Sequence, residues 1–162
     1  MGLLKCILYA LCLGSGFFLL GRVLPSSLFH PDRFPYKPLS WEKGGKRYDE
    51  LLTIRKWQAK VPDMSRYFPR LIPQKKVSSD FLENLPLMIR ETCVAEFTHV
   101  LLCLLAFPCM ALWKGPGGIL FTILYILGNI PFILIQRYNR PRFLKLQNKI
   151  SKQRKETSKW PH

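Results

Sequence analysis

The apolar residues of this 162-residue chain are gathered into three long runs, and this separation limits the folds that it can adopt. The runs occupy residues 3–24, 94–113 and 119–135. Each is close to the roughly 20 residues that a helix needs to cross about 30 Å of hydrocarbon. The charged residues, with a formal net charge of +15, lie mostly between the runs. The sequence therefore predicts an all-α integral membrane protein with about three transmembrane helices.

The second and third runs are joined by a short turn, which predicts a transmembrane hairpin at 94–135. The turn, Lys114 to Gly118, contains glycine and proline residues that interrupt helices. The first run, at 1–24, also has the basic start and apolar centre of a cleaved signal peptide. No small-x-small cleavage signature follows that run. The interpretation that we favour is a retained first span.

Residues 25–93 form a polar segment that begins with several prolines, so the chain leaving the first span is expected to be extended. Two stretches within it, 46–60 and 81–90, carry apolar residues at helical spacing. This pattern is typical of amphipathic helices that lie on a membrane surface with the apolar side down. The same pattern fits two helices that pack on each other as a small soluble subdomain, and both interpretations remain open.

The distribution of Lys and Arg predicts the orientation, because cytoplasmic loops carry an excess of these residues. The tail at 136–162 is strongly basic, Lys75, Lys76 and Arg90 precede the second span, and the hairpin turn carries Lys114. We therefore expect a multi-pass protein of the cell membrane, with the polar segment and the tail in the cytoplasm. Each basic residue near the surface adds about 1 kcal/mol of attraction to anionic lipid, so membrane lipids are expected partners.

The five cysteines predict neither a disulfide framework nor a zinc site. Four lie in the apolar runs and Cys93 lies at the edge of one, their number is odd, and no CxxC pair occurs. They are interpreted as small apolar packing residues. Familiar catalytic motifs, namely HxxxxD, GxSxG, HExxH, the P-loop and GxGxxG, are also absent from the sequence. No metal site is predicted.

Two polar clusters interrupt the apolar pattern of the hairpin. In the first, Glu96 and His99 are three residues apart and share one face of a helix. In the second, Asn129 and Gln136 are seven residues apart and lie nearly in line along the third span. Folding the hairpin at the turn brings the clusters to one depth, with His99 level with Phe132. The same registration places Glu96 level with Ile135, and Glu91 level with Arg140.

This convergence predicts a candidate active site in which His99 is the general base, because the imidazole pKa lies near neutrality. Glu96 would fix the tautomer of His99. Asn129 or Gln136 would donate a hydrogen bond to a developing oxyanion. The guanidinium groups of Arg137, Arg140 and Arg142 would hold the phosphates of an acyl carrier.

A structural alternative uses the same residues without any chemistry. Charged groups are tolerated in a membrane when they are paired. Glu96 with Arg137, and Glu91 with Arg140, would make such pairs. The two clusters would then only hold the hairpin together and mark the membrane surface.

Several stretches resemble one small family of enzymes. Residues 136–142, Gln-Arg-Tyr-Asn-Arg-Pro-Arg, together with Asn129-Ile130-Pro131, resemble a signature of the glycosyl-4,4'-diaponeurosporenoate acyltransferases, which act late in the synthesis of staphyloxanthin-type carotenoids. Supporting matches are Trp41-Glu42-Lys43 with Gly45-Lys46, Arg55-Lys56-Trp57 with Lys60 and Asp63, Glu91-Thr92, Ala95-Glu96 and His99. The resemblance extends over residues 40–145.

The resemblance implies an enzyme that esterifies a sugar hydroxyl of a carotenoid glycoside with a fatty acyl group. The acceptor would be a glycosylated terpenoid, the acyl donor acyl-CoA or acyl carrier protein, and no cofactor would be needed. The candidate residues are His99 and Glu96 as catalytic groups, and Asn129, Gln136, Arg137, Asn139, Arg140, Arg142, Glu91 and Trp57 as substrate-binding groups.

Two other functions remain as alternatives. One is a non-catalytic membrane protein that assembles or stabilises the enzymes of a lipid or carotenoid pathway. The other is a basic protein that binds an anionic surface. Nucleic acid is not an expected partner, because the aromatic residues sit within the apolar runs rather than along a basic groove.

Overall fold

The computed structural model describes residues 1–61 and 82–157, and the secondary structure of this part of the chain is helical without strands. The α-helices are α1 (Gly2–Val23), α2 (Lys46–Leu52), α3 (Ile54–Trp57), α4 (Leu85–Leu104), α5 (Pro108–Leu112) and α6 (Pro116–Thr157). Short 3₁₀ helices cover Ser26–Leu28, Ser40–Gly45 and Gln58–Lys60. The predicted all-α fold class is confirmed.

Within the described residues, three helical stretches are long and apolar enough to cross a membrane, namely Gly2–Val23, Leu85–Leu112 and Pro116–Thr157. Large apolar side chains point outward from them; Leu11 on α1 is 61% exposed and Leu124 on α6 is 59% exposed. Contiguous apolar surface of this kind is unfavourable in water and is stable against lipid. The prediction of about three helices able to span a membrane is confirmed.

The helix boundaries differ from the predicted ones in three places. The predicted helix at 46–60 is divided at Thr53, whose φ of 47° ends α2 before α3 begins. The residues from Leu85 to Arg90 belong to the same helix as the second span instead of forming a separate surface helix. Pro86 stands at the second position of α4, where its missing N–H costs little. The third helix continues past Ile135 to Thr157.

Some sequence-based expectations concern residues that the structure does not describe. These are the matches at Asp63, the basic residues Lys75 and Lys76, and the start of the predicted helix at residue 81. The described part of the chain divides into two compact units, which we treat separately. The first comprises Met1–Phe29 and Val94–Gln136, and the second comprises His30–Cys93 and Arg137–His162.

In the first unit, α1 runs antiparallel to α4 and α5. Near its start, the Cys6 thiol lies 3.5 Å from the carbonyl oxygen of Cys109, and the Tyr9 hydroxyl donates to the carbonyl of Leu105 at 3.1 Å. At its other end, Gly21 is buried so tightly that an added Cβ would lie 2.7 Å from Cγ1 of Val94. The absence of a side chain at Gly21 therefore allows the close approach of α1 to α4.

The hairpin of the first unit turns at Gly115, whose φ of +91° favours glycine. Pro116 then opens α6, where its fixed φ suits the first helical turn. Beyond the turn, α6 runs back along α4 and α5, and the Thr122 hydroxyl lies 3.4 Å from the carbonyl oxygen of Ala106. This antiparallel registration positions the candidate site residues of the first unit.

In the second unit, the apolar face at the start of α4 is covered by protein. Leu85, Met88 and Ile89 are almost fully buried. They pack against Phe143, Leu144, Leu146 and Ile150 of α6. The first turns of α4 therefore use their apolar side for a small core.

Candidate active site

His99 and Asn129 form the central polar contact of the first unit. The Nδ1 atom of His99 lies 2.8 Å from Oδ1 of Asn129. The amide nitrogen of Asn129 donates to the carbonyl oxygen of Tyr125, one turn earlier in α6, also at 2.8 Å. Asn129 is thereby held at both ends of its amide group, and its side chain is buried.

These two hydrogen bonds determine which nitrogen of His99 carries the proton. A backbone carbonyl only accepts, so the NH₂ group of Asn129 faces Tyr125 and the amide oxygen faces His99. An amide oxygen is also only an acceptor, so Nδ1 of His99 must be the donor. In the neutral ring Nε2 then carries the lone pair. The contact therefore leaves Nε2 of the neutral ring as the hydrogen-bond acceptor.

An aromatic contact fixes the plane of the imidazole. The ring of His99 stacks on that of Phe132, with centroids 4.5 Å apart and an interplanar angle of 11°. Phe132 is three residues after Asn129, so both contacts come from one face of α6. The expected registration of His99 with Phe132 is thus present in the structure.

The expected partner of His99 needs correction. Glu96 was predicted to orient the imidazole, but among the described residues the ring of His99 donates its hydrogen bond to Asn129. Glu96 and His99 are three residues apart on α4, so their side chains start from neighbouring positions. The amide of Asn129, by contrast, faces the imidazole directly. Glu96 is itself buried, with 5% of its surface exposed, and has interactions of its own. A catalytic role for Glu96 stays a prediction.

Gln136 lies on the same face of α6, one turn beyond Phe132. The residue is only 6% exposed. Its Oε1 atom is buried and has no hydrogen-bond partner among the residues that the structure describes. A buried polar atom without a partner is uncommon in native proteins and calls for an explanation.

In the second unit, Arg137 is held by a buried carboxylate. Its Nε donates to Oε1 of Glu42 at 2.7 Å, and the side chains are 14% and 1% exposed, respectively. Glu42 also accepts from the hydroxyl of Tyr48 at 2.6 Å and from the backbone N–H of Leu39 at 2.8 Å. Burial and the contact with Glu42 raise the pKa of Tyr48 well above its usual value, so Tyr48 remains a donor.

Arg140 is also held by hydrogen bonds within the protein. Its Nε donates to the hydroxyl of Thr92 at 2.9 Å, and its terminal nitrogens donate to the carbonyls of Thr92 and Tyr36 at 2.9 and 2.7 Å. The residue is 1% exposed, and its guanidinium lies over the ring of Tyr36. These contacts join Arg140 on α6 to α4 and to the segment at Tyr36. Phosphate binding by Arg140, which the sequence suggested, stays a prediction.

The remaining candidates of the second unit have different surroundings. Asn139 donates to Oε1 of Gln58 at 3.2 Å. Trp57 donates through its indole N–H to the carbonyl of Leu52 at 2.8 Å. Arg142 is exposed and lies over the ring of Tyr138, 4.6 Å from its centroid. Glu91 is buried and partnered. Substrate binding by these four residues stays a prediction.

Sequence reasoning missed the role of Glu42, which connects Arg137 to Tyr48. The Trp41-Glu42-Lys43 stretch was noticed as a resemblance, yet a single Glu in a loop carries no periodic signal. The partner of Glu42, Arg137, is 95 positions away in the sequence, so no local pattern indicates the pair. The described residues contain no group of three or more His, Cys, Asp or Glu that would hold a metal ion.

The chain resembles known proteins over most of its length. The model of the glycosyl-4,4'-diaponeurosporenoate acyltransferase family matches residues 31–149. A protein of that name from Staphylococcus haemolyticus (strain JCSC1435) is 35% identical over 120 residues, which cover 73% of this chain and 68% of the relative. Another, from Staphylococcus aureus (strain MRSA252), is 29% identical over 143 residues, which cover 87% and 85%. No solved structure matches the chain.

Proposed function

Because the chain belongs to the glycosyl-4,4'-diaponeurosporenoate acyltransferase family and is an acyltransferase, we propose that it esterifies a sugar hydroxyl of a glycosylated carotenoid-like lipid with a fatty acyl group. The names of its relatives supply the reaction class and the kind of acceptor. The three apolar helices suit an acceptor whose apolar part is dissolved in the membrane. The reaction belongs late in carotenoid synthesis.

The observation that carries the proposed chemistry is the contact of His99 Nδ1 with Asn129. It leaves Nε2 of His99 as the acceptor for the proton of the sugar hydroxyl. The resulting alkoxide attacks the carbonyl carbon of the fatty acyl thioester, a C–O bond forms, and the C–S bond breaks. The proton returns from His99 to the departing thiolate. The products are a sugar ester and a free thiol.

The acyl donor is proposed to be a thioester of coenzyme A or of acyl carrier protein, both of which are anionic. Basic side chains on the exposed side of α6 would attract either donor. Arg142, Lys145, Lys149 and Lys152 are exposed and recur at helical spacing. We place this basic part of the chain in the cytoplasm, where acyl thioesters are found, in line with the excess of Lys and Arg in the tail.

The central test is the variant His99→Ala, measured with purified protein in lipid vesicles. Vesicles containing a long-chain alkyl glucoside receive a fatty acyl-CoA or acyl-carrier-protein donor, and the ester is quantified by mass spectrometry. Loss of a general base is expected to lower kcat by about 10²–10⁴-fold. The matched control is His30→Ala, which removes an exposed imidazole from the second unit. Wild-type kcat in His99→Ala would reject His99 as the base.

The non-catalytic alternative considered from the sequence, an assembly or stability factor, disagrees with the acyltransferase names of the relatives, and it predicts a different result in this assay. In that case purified wild-type protein forms no ester with either donor, although membranes containing the other pathway enzymes do. The buried hydrogen bonds of Arg140 and Glu42 would then serve only to hold the second unit together. The same vesicle assay therefore separates the two functions before any variant is made.

A further inference from the structure

We propose that Gln136 binds the sugar of the acceptor through its amide oxygen. The residue lies in the first unit on the same helix as Asn129 and Phe132, the two contacts of His99. The choice of a sugar as the ligand rests on the proposed acyl transfer, whereas the existence of a hydroxyl-binding site at Gln136 rests on the structure of this residue.

The first argument is the unpaired state of the amide oxygen. Oε1 of Gln136 is buried, the residue is 6% exposed, and no described residue donates a hydrogen bond to this atom. A polar atom that is removed from solvent without a partner destabilises the folded protein. An apolar side chain of similar size would avoid that cost. The amide is therefore best explained as an acceptor kept for a ligand.

The second argument is the position of Gln136 along α6. Phe132, which stacks on the imidazole, and Gln136 are four residues apart and lie on adjacent turns of one face. Four residues correspond to about 6 Å along the axis. A hexose carries several hydroxyl groups around a ring of similar width. One sugar can therefore present one hydroxyl to Nε2 of His99 and another to Oε1 of Gln136.

The third argument is the chemistry of the amide oxygen, which accepts hydrogen bonds and does not donate them. A sugar hydroxyl is a donor and satisfies it, whereas a thioester carbonyl or a phosphate group is an acceptor and does not. The assignment therefore favours the acceptor substrate over the acyl donor. It also differs from the role expected from sequence, in which the Gln136 amide would donate to an oxyanion.

The test is the near-isosteric variant Gln136→Met, studied as full-length protein in lipid nanodiscs with dodecyl glucoside as the probe. Without glucoside, the variant is expected to unfold at a higher temperature than the wild type, because an unpaired amide is removed. Glucoside should bind the variant more weakly, so about ten times more glucoside should be needed to raise its unfolding temperature by a given amount. The KM of the variant for glucoside should also rise about tenfold. The KM for the acyl donor should not change.

The matched control is Gln147→Met, which removes the same amide three turns further along α6. It should leave the unfolding temperature shift and both KM values as in the wild type. If Gln136→Met does not fold, Gln136→Asn keeps the amide but withdraws its oxygen by one bond length, and it should show the same rise in KM for glucoside.

Any of three outcomes would overturn the inference. One is a lower unfolding temperature of Gln136→Met with unchanged glucoside affinity, which is the signature of an amide paired with a buried water. Another is an equal rise in KM for both substrates. The third is a wild-type KM for glucoside in Gln136→Met. Failure of the proposed function looks different: the wild type would bind glucoside in a Gln136-dependent way and form no ester. If ester forms and Gln136→Met keeps the wild-type KM, the function stands and the sugar contact fails.

Discussion

At the scale of single residues, the amide of Asn129 determines what His99 can do. It joins a backbone carbonyl at Tyr125 to the ring nitrogen of His99, so its own orientation is not free. The helix therefore sets the tautomer of the imidazole through one side chain. Phe132 adds the orientation of the ring plane. If His99 is the general base, as proposed, these contacts arrange its ring before the substrate binds, which favours proton transfer.

Replacing Asn129 with Leu should lower kcat by about 10²-fold, because a misplaced catalytic group costs about that much. Asn129→Asp keeps an oxygen acceptor for Nδ1 of His99 and should retain more activity than Asn129→Leu. The measurement is kcat in the vesicle assay. The control is Thr122→Val, seven residues before Asn129 on the same helix, where the hydroxyl donates to the carbonyl of Gly118. Equal kcat for Asn129→Leu and the wild type would contradict this role.

At the scale of elements, the second span contains a break whose backbone groups are satisfied by other helices. Pro108 has no N–H and cannot continue the hydrogen-bond pattern of α4. The carbonyl of Leu105 accepts from the Tyr9 hydroxyl at 3.1 Å. The carbonyl of Ala106 accepts from the N–H of Cys109 at 3.0 Å and lies 3.4 Å from the Thr122 hydroxyl. Since lipid offers no hydrogen bonds, such partners are needed inside a membrane. The interruption therefore fixes the contacts of the second span with α1 and α6.

The 3₁₀ helix at Ser40–Gly45 depends on two glycines that should respond differently to substitution. Both have positive φ, +65° at Gly44 and +89° at Gly45. A Cβ at Gly44 meets open space, whereas one at Gly45 lies 2.7 Å from the carbonyl oxygen of Tyr138. Gly44→Ala should lower the free energy of unfolding by about 1–2 kcal/mol, because alanine is strained in the left-handed backbone conformation. Gly45→Ala should cost more, because α6 must also move.

The measurement is the thermal unfolding of both variants in detergent, with the wild type as reference. The pair is well matched, since the same methyl group is added at neighbouring positions of one turn. A Gly45→Ala variant as stable as Gly44→Ala would show that the approach of this turn to Tyr138 is not required.

At the scale of the whole molecule, three described helices bear on which side of a membrane the hairpin turn and the basic end of α6 would lie. The helices Gly2–Val23, Leu85–Leu112 and Pro116–Thr157 are each long enough to cross a bilayer. If all three cross, the hairpin turn lies on the side of the N-terminus, and the basic end of α6 lies on the other. The closeness of Gly2 to Trp113 in the first unit agrees with the first part of this arrangement.

The orientation is tested by labelling single cysteines with a membrane-impermeant maleimide. Lys114→Cys in the hairpin turn should react in intact cells, whereas Lys149→Cys on α6 should react only after the membrane is permeabilised. The unmodified chain measures the background from its five native cysteines. The reverse pattern would invert the proposed orientation, and equal labelling in intact cells would mean that the third helix does not separate these two positions.

Part of the candidate site was predictable because helical periodicity is a local property. The hairpin at 115–116 and the rise per residue were enough to place His99 beside Phe132 and close to Asn129. The partner of the imidazole was not predictable, since Glu96 and Asn129 both lie within reach and only the orientations of the side chains separate them. The buried roles of Arg140 and Glu42 were likewise hidden, because an Arg in a basic tail has the same sequence signal whether it is solvated or paired.

Helical structure, with three described stretches long and apolar enough to cross a membrane, follows from the sequence alone, because length and apolarity are properties of consecutive residues. The polar groups that meet are set by how the helices pack in three dimensions. Hydrogen bonds such as those of Glu42 with Arg137, or of Thr92 with Arg140, join residues that are far apart in the chain. Their energies depend on burial and direction, which no single segment of sequence contains.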